Sequence, residues 1–446
     1  MELEILNPWW KAKGNIELDK HISELNGKKY QWMPAILKEI EFKVDNIFTL
    51  LGPRQVGKTT LLKLFIKELL ASVDSKSIFF WSCDELVDFR ELSSILREYL
   101  RFAAVYNIKD KFIFLDEISR VKDWQRAIKF LVDSGELKNC FLMMTGSHAL
   151  DLKYNAERLP GRTGRYGREI FLLPMCFSDF LLLVEPELSK KISRIEAFSL
   201  QEIAKKARDA SLFSIELRVL FEKYLITGGF PLVVNEFLVN NNIPEYVYDI
   251  YFNWVVGDIV RWGKQEKILL QLMKAILQKQ SSAVSWDSIA KNAEIKSHKT
   301  VSSYIEALEN MFVLNVLYFL ELEKKMPDSS KNKKIYFANP FINAVFNKKI
   351  YFTEHKISPE LTEAVAVSHL KRFGRAYYWK NKKEVDIVLQ IKEELYALEI
   401  KYQNKISKHD YSGLCHFSKG ILITKEFLDL EGKYLAIPLH LLLAIL

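Results

Sequence analysis

One run constrains this chain more than any other: GPRQVGKTT, from Gly52 to Thr60. It follows the apolar stretch Ile47 to Leu51 and precedes the helical pattern LLKLFIKELL. The order is therefore strand, glycine-bearing loop and helix, with the spacing G-x-x-x-x-G-K-[ST]. Gly52 and Gly57 allow the backbone to curl until successive N–H groups face a phosphate chain. The helix that follows adds its positive end. Within Gly52, Pro53, Arg54, Gln55, Val56, Gly57, Lys58, Thr59 and Thr60, Lys58 reaches the β- and γ-phosphates. Thr59 offers a hydroxyl to Mg²⁺, an ion that keeps much of its water. The expected cofactors are ATP and Mg²⁺. The competing reading is an ordinary glycine turn before a helix.

KFIFLDEI, Lys111 to Ile118, is an apolar strand ending in two carboxylates. Such a run suits a parallel strand buried on both faces, and the carboxyl ends of such strands carry ligands. Asp116 is the expected Mg²⁺ holder and Glu117 the group that polarises the attacking water. A third strand, Phe141 to Thr145, runs into GSHA. Thr145 and Ser147 share parity, so either could sense the γ-phosphate; Ser147 is preferred. Strand signals at Phe48–Leu51, Ile78–Ser82, Phe112–Asp116, Phe141–Thr145 and Glu169–Leu173 alternate with helical patterns. This predicts a doubly wound parallel sheet, an α/β class.

The phosphate loop, the LDE strand and the TGS strand together resemble the AAA-type P-loop ATPase core. More specifically, the chain resembles a prokaryotic, archaeal-type family of such ATPases with a restriction-endonuclease-like C-terminal domain. NPWW at Asn7 to Trp10 resembles its N-terminal signature, and GRTGRYGREIFLLPMCFSDF, Gly161 to Phe180, its next block. The resemblance implies five parts: an N-terminal extension over 1–36, a P-loop core over 37–175, a helical lid over 176–265, a winged helix over 266–338 and the nuclease-like domain over 339–446. It also implies an arginine finger directed at a neighbouring copy. Arg158, Arg162, Arg165 and Arg168 lie in the matching place, with Arg162 the first choice and Arg165 the second; a permanently charged planar guanidinium suits that task. A mobile basic loop is the alternative. TGGFPLVV, Thr227 to Val234, resembles a lid motif whose proline packs on adenine, here Pro231; a plain turn between helices is the other reading.

Bulk properties set wider bounds. The 446 residues allow two to four domains, and 49% apolar with 27% charged residues is a globular composition. Cys83, Cys140, Cys176 and Cys415 are far apart, which argues against a zinc site or a disulfide framework. The N-terminus has no apolar signal core and IPLHLLLAIL is too short to span a bilayer. A cytoplasmic protein without a membrane partner is expected. A net charge of +8 permits nucleic-acid binding, and the basic residues cluster late, in runs at Lys324–Lys334, at Lys371 and at Lys380.

SWDSIAKNAEI and SHKTVSSYIEALENMF read as two helices, the second burying Val301, Ile305, Leu308 and Phe312. VLNVLYFLEL and KKIYFA read as strands around a wing, EKKMPDSSKNK. His298, Lys299, Ser302 and Ser303 would then face a DNA groove, while the wing lysines would meet phosphates. Glu306 and Glu309 weigh against this, and winged helices also contact proteins.

YYWKNKKEVDIVLQ and LYALEIKY read as the two strands of a hairpin carrying Asp386, Glu399 and Lys401. Glu399 and Lys401 are two apart and share a face. This resembles the D…E-x-K core of restriction-endonuclease-like nucleases, with Glu363 matching their helix acid. The resemblance implies Mg²⁺ on Asp386, Glu399 and Glu363, and Lys401 orienting a water. Exposed strands also alternate Glu and Lys, so the pattern alone is weak. The leading expectation is an ATP-hydrolysing AAA-type machine acting on DNA, with a Mg²⁺-dependent nuclease-like domain. The alternative is an ATP-driven signalling or assembly switch with non-catalytic binding modules. A small-molecule kinase is a third, less fitting class.

Overall fold

A computed structural model describes residues 2–146, 167–353, 356–403 and 405–446, and divides into two compact units, 1–173 and 174–446.

In the first unit, β1 (Ile47–Leu51), β2 (Ile78–Ser82), β3 (Lys111–Asp116), β4 (Cys140–Gly146) and β5 (Gly167–Phe171) form one parallel sheet in the order β2-β3-β4-β1-β5. β1, β3 and β4 are buried almost throughout, as their unbroken apolar runs require. β5 begins and ends two residues before the expected Glu169–Leu173. The order brings the carboxyl ends of β1, β3 and β4 together, with β4 between the other two. The loop after β1, the acids closing β3 and the threonine near the end of β4 therefore converge.

The N-terminal segment covers the edge strand of that sheet. The Asn7 side chain accepts from the N–H of Phe80 and donates to its carbonyl, at 2.7 and 3.1 Å, as a neighbouring strand would. The indoles of Trp9 and Trp10 both donate to the Ile78 carbonyl. These two tryptophans are buried and, with Asn7, satisfy the Ile78 carbonyl and both Phe80 backbone groups on the edge of β2, while Trp32 is half-buried. On the helix Lys58–Leu69, Lys63 is buried between the Asp19 carboxylate at 3.1 Å and the Phe80 ring at 3.3 Å.

The second unit begins with helices, from Phe177–Val184 to His298–Asn310. A seven-stranded sheet follows: β6 (Leu314–Glu321), β7 (Met326–Phe337), β8 (Arg375–Lys380), β9 (Glu384–Ile391), β10 (Glu394–Lys401), β11 (Gly420–Thr424) and β12 (Leu435–Pro438), in the order β12-β11-β10-β9-β8-β6-β7. β6 with β7, β8 with β9 and β9 with β10 are antiparallel; β6 with β8 and β10 with β11 are parallel. The expected divisions at 265/266 and 338/339 both fall inside this unit, and one sheet crosses the second of them.

Three local readings change. The residues read as one N-terminal hairpin strand before Asp386 form two strands, β8 and β9, with a turn at Asn381–Lys383. Most of the expected wing is strand: β7 starts at Met326, and the register slips between Tyr318 and Phe319 so that Ser329–Asn332 leave the ladder. Phe312 is not on the buried face of the second helix. That helix ends at Asn310, Phe312 takes a left-handed φ of 61°, and Met311 fills the core instead. The terminal IPLHLLLAIL supplies the end of β12 and a buried helix, Leu439–Ile445. Among the described residues no helix is long and apolar enough to cross a membrane.

Candidate functional site

The phosphate loop opens the helix Lys58–Leu69, with Gly57 before it at φ 99°, a conformation that glycine adopts without penalty. Gly52 is needed for a different reason: a Cβ there would lie 2.1 Å from the Leu172 carbonyl oxygen. Pro53 and Val56 are buried, Arg54 and Thr60 half-buried and Gln55 exposed. The Lys58 ammonium donates to the carbonyls of Gly52 and Pro53, each at 3.0 Å, and lies 3.8 Å from the Glu117 carboxylate.

Thr59 donates to Asp116 Oδ2 at 2.6 Å. The other oxygen of Asp116 accepts from the Thr145 hydroxyl, and Thr145 Oγ1 in turn accepts the N–H of Glu117 at 2.9 Å. Thr145 is fully buried and lies beside Leu50 of β1 in the ladder. It therefore sets both acids at once: the side chain of one and the backbone of the next. Glu117 has a left-handed backbone, φ 50°, which costs of order 1 kcal/mol or more in a non-glycine residue. Its N–H bond to Thr145 helps to hold that turn. Burial pushes the Asp116 carboxyl up, and the hydrogen bonds from Thr145 and Thr59 act against the rise.

This set fits a nucleotide with Mg²⁺. Magnesium takes one or two protein groups and completes its shell with phosphate oxygens and water. A threonine hydroxyl already in contact with a buried carboxylate is such a pair. Ser147, Arg158, Arg162 and Arg165 lie outside the described residues, as does the side chain of Arg168. Pro231 opens the helix Pro231–Asn240 in the second unit. The glycines before it have a packing reason: both take positive φ, and a Cβ would strike Asn339 at Gly228 and the Met175 carbonyl at Gly229.

The second unit brings Glu363, Asp386, Glu399 and Lys401 together, with three partners that the motif did not include: Lys334, Glu384 and Tyr336. Lys334 of β7, 1% exposed, places its ammonium 2.7 Å from Glu384, 2.8 Å from Asp386 and 3.4 Å from Glu363. Tyr336, two residues on and on the same face, donates to Glu363. Asp386 Oδ2 also accepts the N–H of Ile400 at 2.9 Å, which ties it to β10. Glu399 Oε1 accepts from Lys401 at 2.7 Å, whereas its buried Oε2 has no hydrogen-bond partner. Burial and the Asp386 charge push Glu363 and Glu399 up to about 7. Burial alone would lower Lys334, but Asp386, Glu363 and Glu384 outweigh it and hold the ammonium above its ordinary range.

As arranged, these residues do not fit a divalent ion. The point where Glu363, Glu384 and Asp386 converge is filled by an ammonium. Among the described residues no group of three or more His, Cys, Asp or Glu side chains is set to hold a metal. Two sequence signals pointed to the missed members. In KEVDI, Glu384 shares the face of Asp386, and in KKIYF, Lys334 shares that of Tyr336, by the two-residue period of a strand.

Late basic residues are also partly engaged. Lys333 is buried, 5.0 Å from the Trp286 ring centroid. Lys324 pairs with Glu321, Lys371 with Glu309 and Lys380 with Glu384. On the helix His298–Asn310, His298 and Lys299 are exposed, His298 lies 3.2 Å from Asp287, Ser302 is half-buried, and Ser303 accepts from Lys264.

Residues 44–181 match the model of an AAA domain, 218–349 that of a domain of unknown function (DUF8612), and 360–442 that of a second domain of unknown function (DUF4143). An uncharacterized protein of Methanocaldococcus jannaschii, MJ1637, is 26% identical over 445 residues, covering 94% of this chain and 89% of the relative. MJ1544 of the same organism is 24% identical over 376 residues, covering 80% and 75%. Among solved structures, the Aeropyrum pernix ORC2 protein in ADPNP–ADP complexes has a TM-score of 0.38 at 11% identity, covering 75% of this chain and 94% of that one. The ORC1 protein of that organism in complex with DNA has a TM-score of 0.33 at 14% identity, covering 77% and 97%. The AAA-domain match, the parallel sheet and the phosphate loop identify an AAA-type P-loop ATPase core in this chain.

Proposed function

We propose that the protein hydrolyses ATP and uses the cycle to control how its second unit engages DNA. The observation that carries the first half is the hydrogen-bond chain Thr59–Asp116–Thr145–Glu117 beside Lys58. In this reading the loop N–H groups and Lys58 bind the phosphates. Thr59 and Asp116 would hold Mg²⁺, which would supply positive charge to the phosphates. Glu117 swings from Lys58 towards the attacking water and accepts its proton as the water oxygen bonds to the γ-phosphorus. The leaving ADP oxygen keeps the electron pair of the broken bond. Ser147 would sense the γ-phosphate, Pro231 would pack on adenine, and Arg162, or Arg165, would reach the γ-phosphate of a neighbouring copy.

The order helix Trp286–Asn292, helix His298–Asn310 and hairpin β6–β7 supports a winged helix, and exposed lysines around it support a polyanion as partner. With an ammonium among its carboxylates, the nuclease-like region serves as a binding module that does not cut. A cutting domain is the second reading, and what favours it is the buried, unpartnered Glu399 Oε2 beside Lys401.

Phosphate release from Mg²⁺·ATP tests the first half. Glu117→Gln should retain nucleotide binding and lose turnover by about 10²–10⁴-fold, the usual weight of a general base. Turnover at the wild-type rate in that variant would remove Glu117 from its role. Linear, supercoiled, single-stranded and branched DNA, each tested for binding and cleavage, check the second half. If none binds at moderate salt, the DNA reading falls. Cleavage that disappears in Asp386→Ala would establish the second reading.

A further inference from the structure

We infer that Lys334 is the resident cation of the carboxylate site in the second unit: it takes the electrostatic place of a divalent metal, and the site admits a metal only when that ammonium is withdrawn. The inference rests on reading this region as a nuclease-like module that does not cut as it stands.

The geometry leaves little room for another arrangement. Three carboxylates from two elements, Glu363 on the helix Pro359–Leu370 and Glu384 and Asp386 on β9, meet one ammonium at 2.7–3.4 Å. Buried charges persist only when paired, because an uncompensated one costs several kcal/mol. The ammonium therefore meets the same need as a bound ion. A divalent ion added beside it would repel it at a few ångströms in a low-dielectric site. Metal and Lys334 are thus mutually exclusive occupants. One acid is left out of the ammonium's hydrogen-bonding reach: Glu399, which faces the same cluster electrostatically and whose Oε2 is buried without a partner. That atom is the coordinating position a metal would gain if Lys334 withdrew.

The element that delivers Lys334 is suited to withdrawal. β7 is the outer strand of the sheet, paired with β6 at Leu317 and Lys334. Its far side is held by the two hydrogen bonds that Lys333 exchanges with Val284, both 2.8 Å. Immediately before Lys333 the chain leaves the ladder at Ser329–Asn332, with Lys331 exposed. A shift there gives up the Tyr378 hydroxyl's bond to the Asn332 carbonyl and the ammonium's contacts with β9, but no backbone ladder bond of β8, β9 or β10.

Mn²⁺ binding to the full-length, nucleotide-free protein, read from the EPR signal of the free ion, tests this without reference to activity. The variants are Asp386→Asn, Lys334→Gln and their combination. Wild type and Asp386→Asn should bind alike, which also cancels any ion held at Thr59 and Asp116. Lys334→Gln should gain one Mn²⁺ per chain, and the double variant should lose it. An Asp386-dependent ion in the wild-type protein overturns the inference, as does a folded Lys334→Gln that gains none. Should Lys334→Gln fail to fold alone, millimolar Mn²⁺ is expected to restore its far-UV circular dichroism, and no restoration counts against the inference. DNA binding measured on the same proteins keeps the two readings apart. A gained Mn²⁺ site without DNA binding retains the inference and removes the DNA reading.

Discussion

Replacing Thr145 with valine isolates what one buried hydroxyl contributes to the ATPase site. The two side chains have nearly the same shape, so packing is kept and only the polar atom is removed. Two groups lose a partner: the Asp116 carboxylate and the Glu117 N–H. Thr145 is fully buried, so water does not take its place. A hydrogen bond to a charged group contributes about 1.5–3 kcal/mol, and a stranded buried N–H costs about 1–3 kcal/mol. Asp116 keeps Thr59, and valine gains some favourable apolar burial. The net loss should therefore be about 2–4 kcal/mol. It should also depend on pH. The Asp116 carboxyl is raised by burial, so its proton favours the folded state at low pH and that contribution is lost as pH rises through the folded value. Removing a donor to the ionised form raises the carboxyl further, so the penalty should be larger at neutral pH than in acid. Hydrogen exchange across β3 and β4 reads the local loss, since two units need not unfold together. ATP turnover should fall, and Thr145→Ser should recover both. A valine variant with wild-type exchange protection and turnover would refute the claim that Thr145 positions the acids.

Two further outcomes follow from burial. His369 is enclosed in the second unit, where its Nε2 accepts the Phe177 N–H at 3.0 Å, and burial, with Arg372 adding to it, pushes it down to about 3. The unfolded histidine takes up a proton below its ordinary value of 6.5 while the folded one does not, so stability is lost as pH falls from there towards 3. Relative to His369→Gln, urea unfolding of the wild type should show an extra loss of up to about 3 kcal/mol at pH 4; parallel pH profiles would count against the assignment. Asn7→Leu should lose about 1–3 kcal/mol, through the two strand-like bonds to Phe80. It should also raise the exchange rates of β2, and unchanged β2 protection would mean that the segment does not seal the edge.

The ATPase core was legible because its chemistry is local. A glycine loop between an apolar strand and a helix, or a strand ending in Asp-Glu, carries its meaning within about ten residues. The convergence of these pieces then follows from the strand order. What escaped was the partner that arrives from elsewhere in the chain. Nothing near Asp386 announces Lys334, which comes from 52 residues earlier. The parity shared by Thr145 and Ser147 puts both on one face of the strand pattern and gives no sign that Thr145 engages Asp116 and Glu117. Nothing in NPWW names the surface its tryptophans cover, the edge of β2, which exists only after the sheet has formed.

The late lysines show why counting charges overstates a nucleic-acid footprint. In the KNKK run that ends at Lys334, strand alternation turns Lys333 towards Trp286 and Lys334 into the acids, so that only Lys331 remains exposed. In the KNKK run that begins at Lys380, the first lysine pairs with Glu384, and Lys382 and Lys383 remain exposed on the turn between β8 and β9. Tyr378 of β8 donates to the Asn332 carbonyl at 2.6 Å, so the two exposed segments are neighbours. The positive surface that a DNA backbone would meet is this pair of turns rather than the helix His298–Asn310, where Asp287 already lies against His298. Each phosphate that a lysine no longer neutralises reduces the slope of log K against log salt by about 0.9 on duplex DNA. Lys331→Ala, Lys382→Ala and Lys383→Ala combined should therefore flatten the slope by about 2–3, and His298→Ala with Lys299→Ala by about 1 or less. Equal slopes for the triple variant and the wild type would place the footprint elsewhere. A triple variant that binds DNA more weakly but with an unchanged salt slope would mean that these lysines act by holding the turns, not by meeting phosphates.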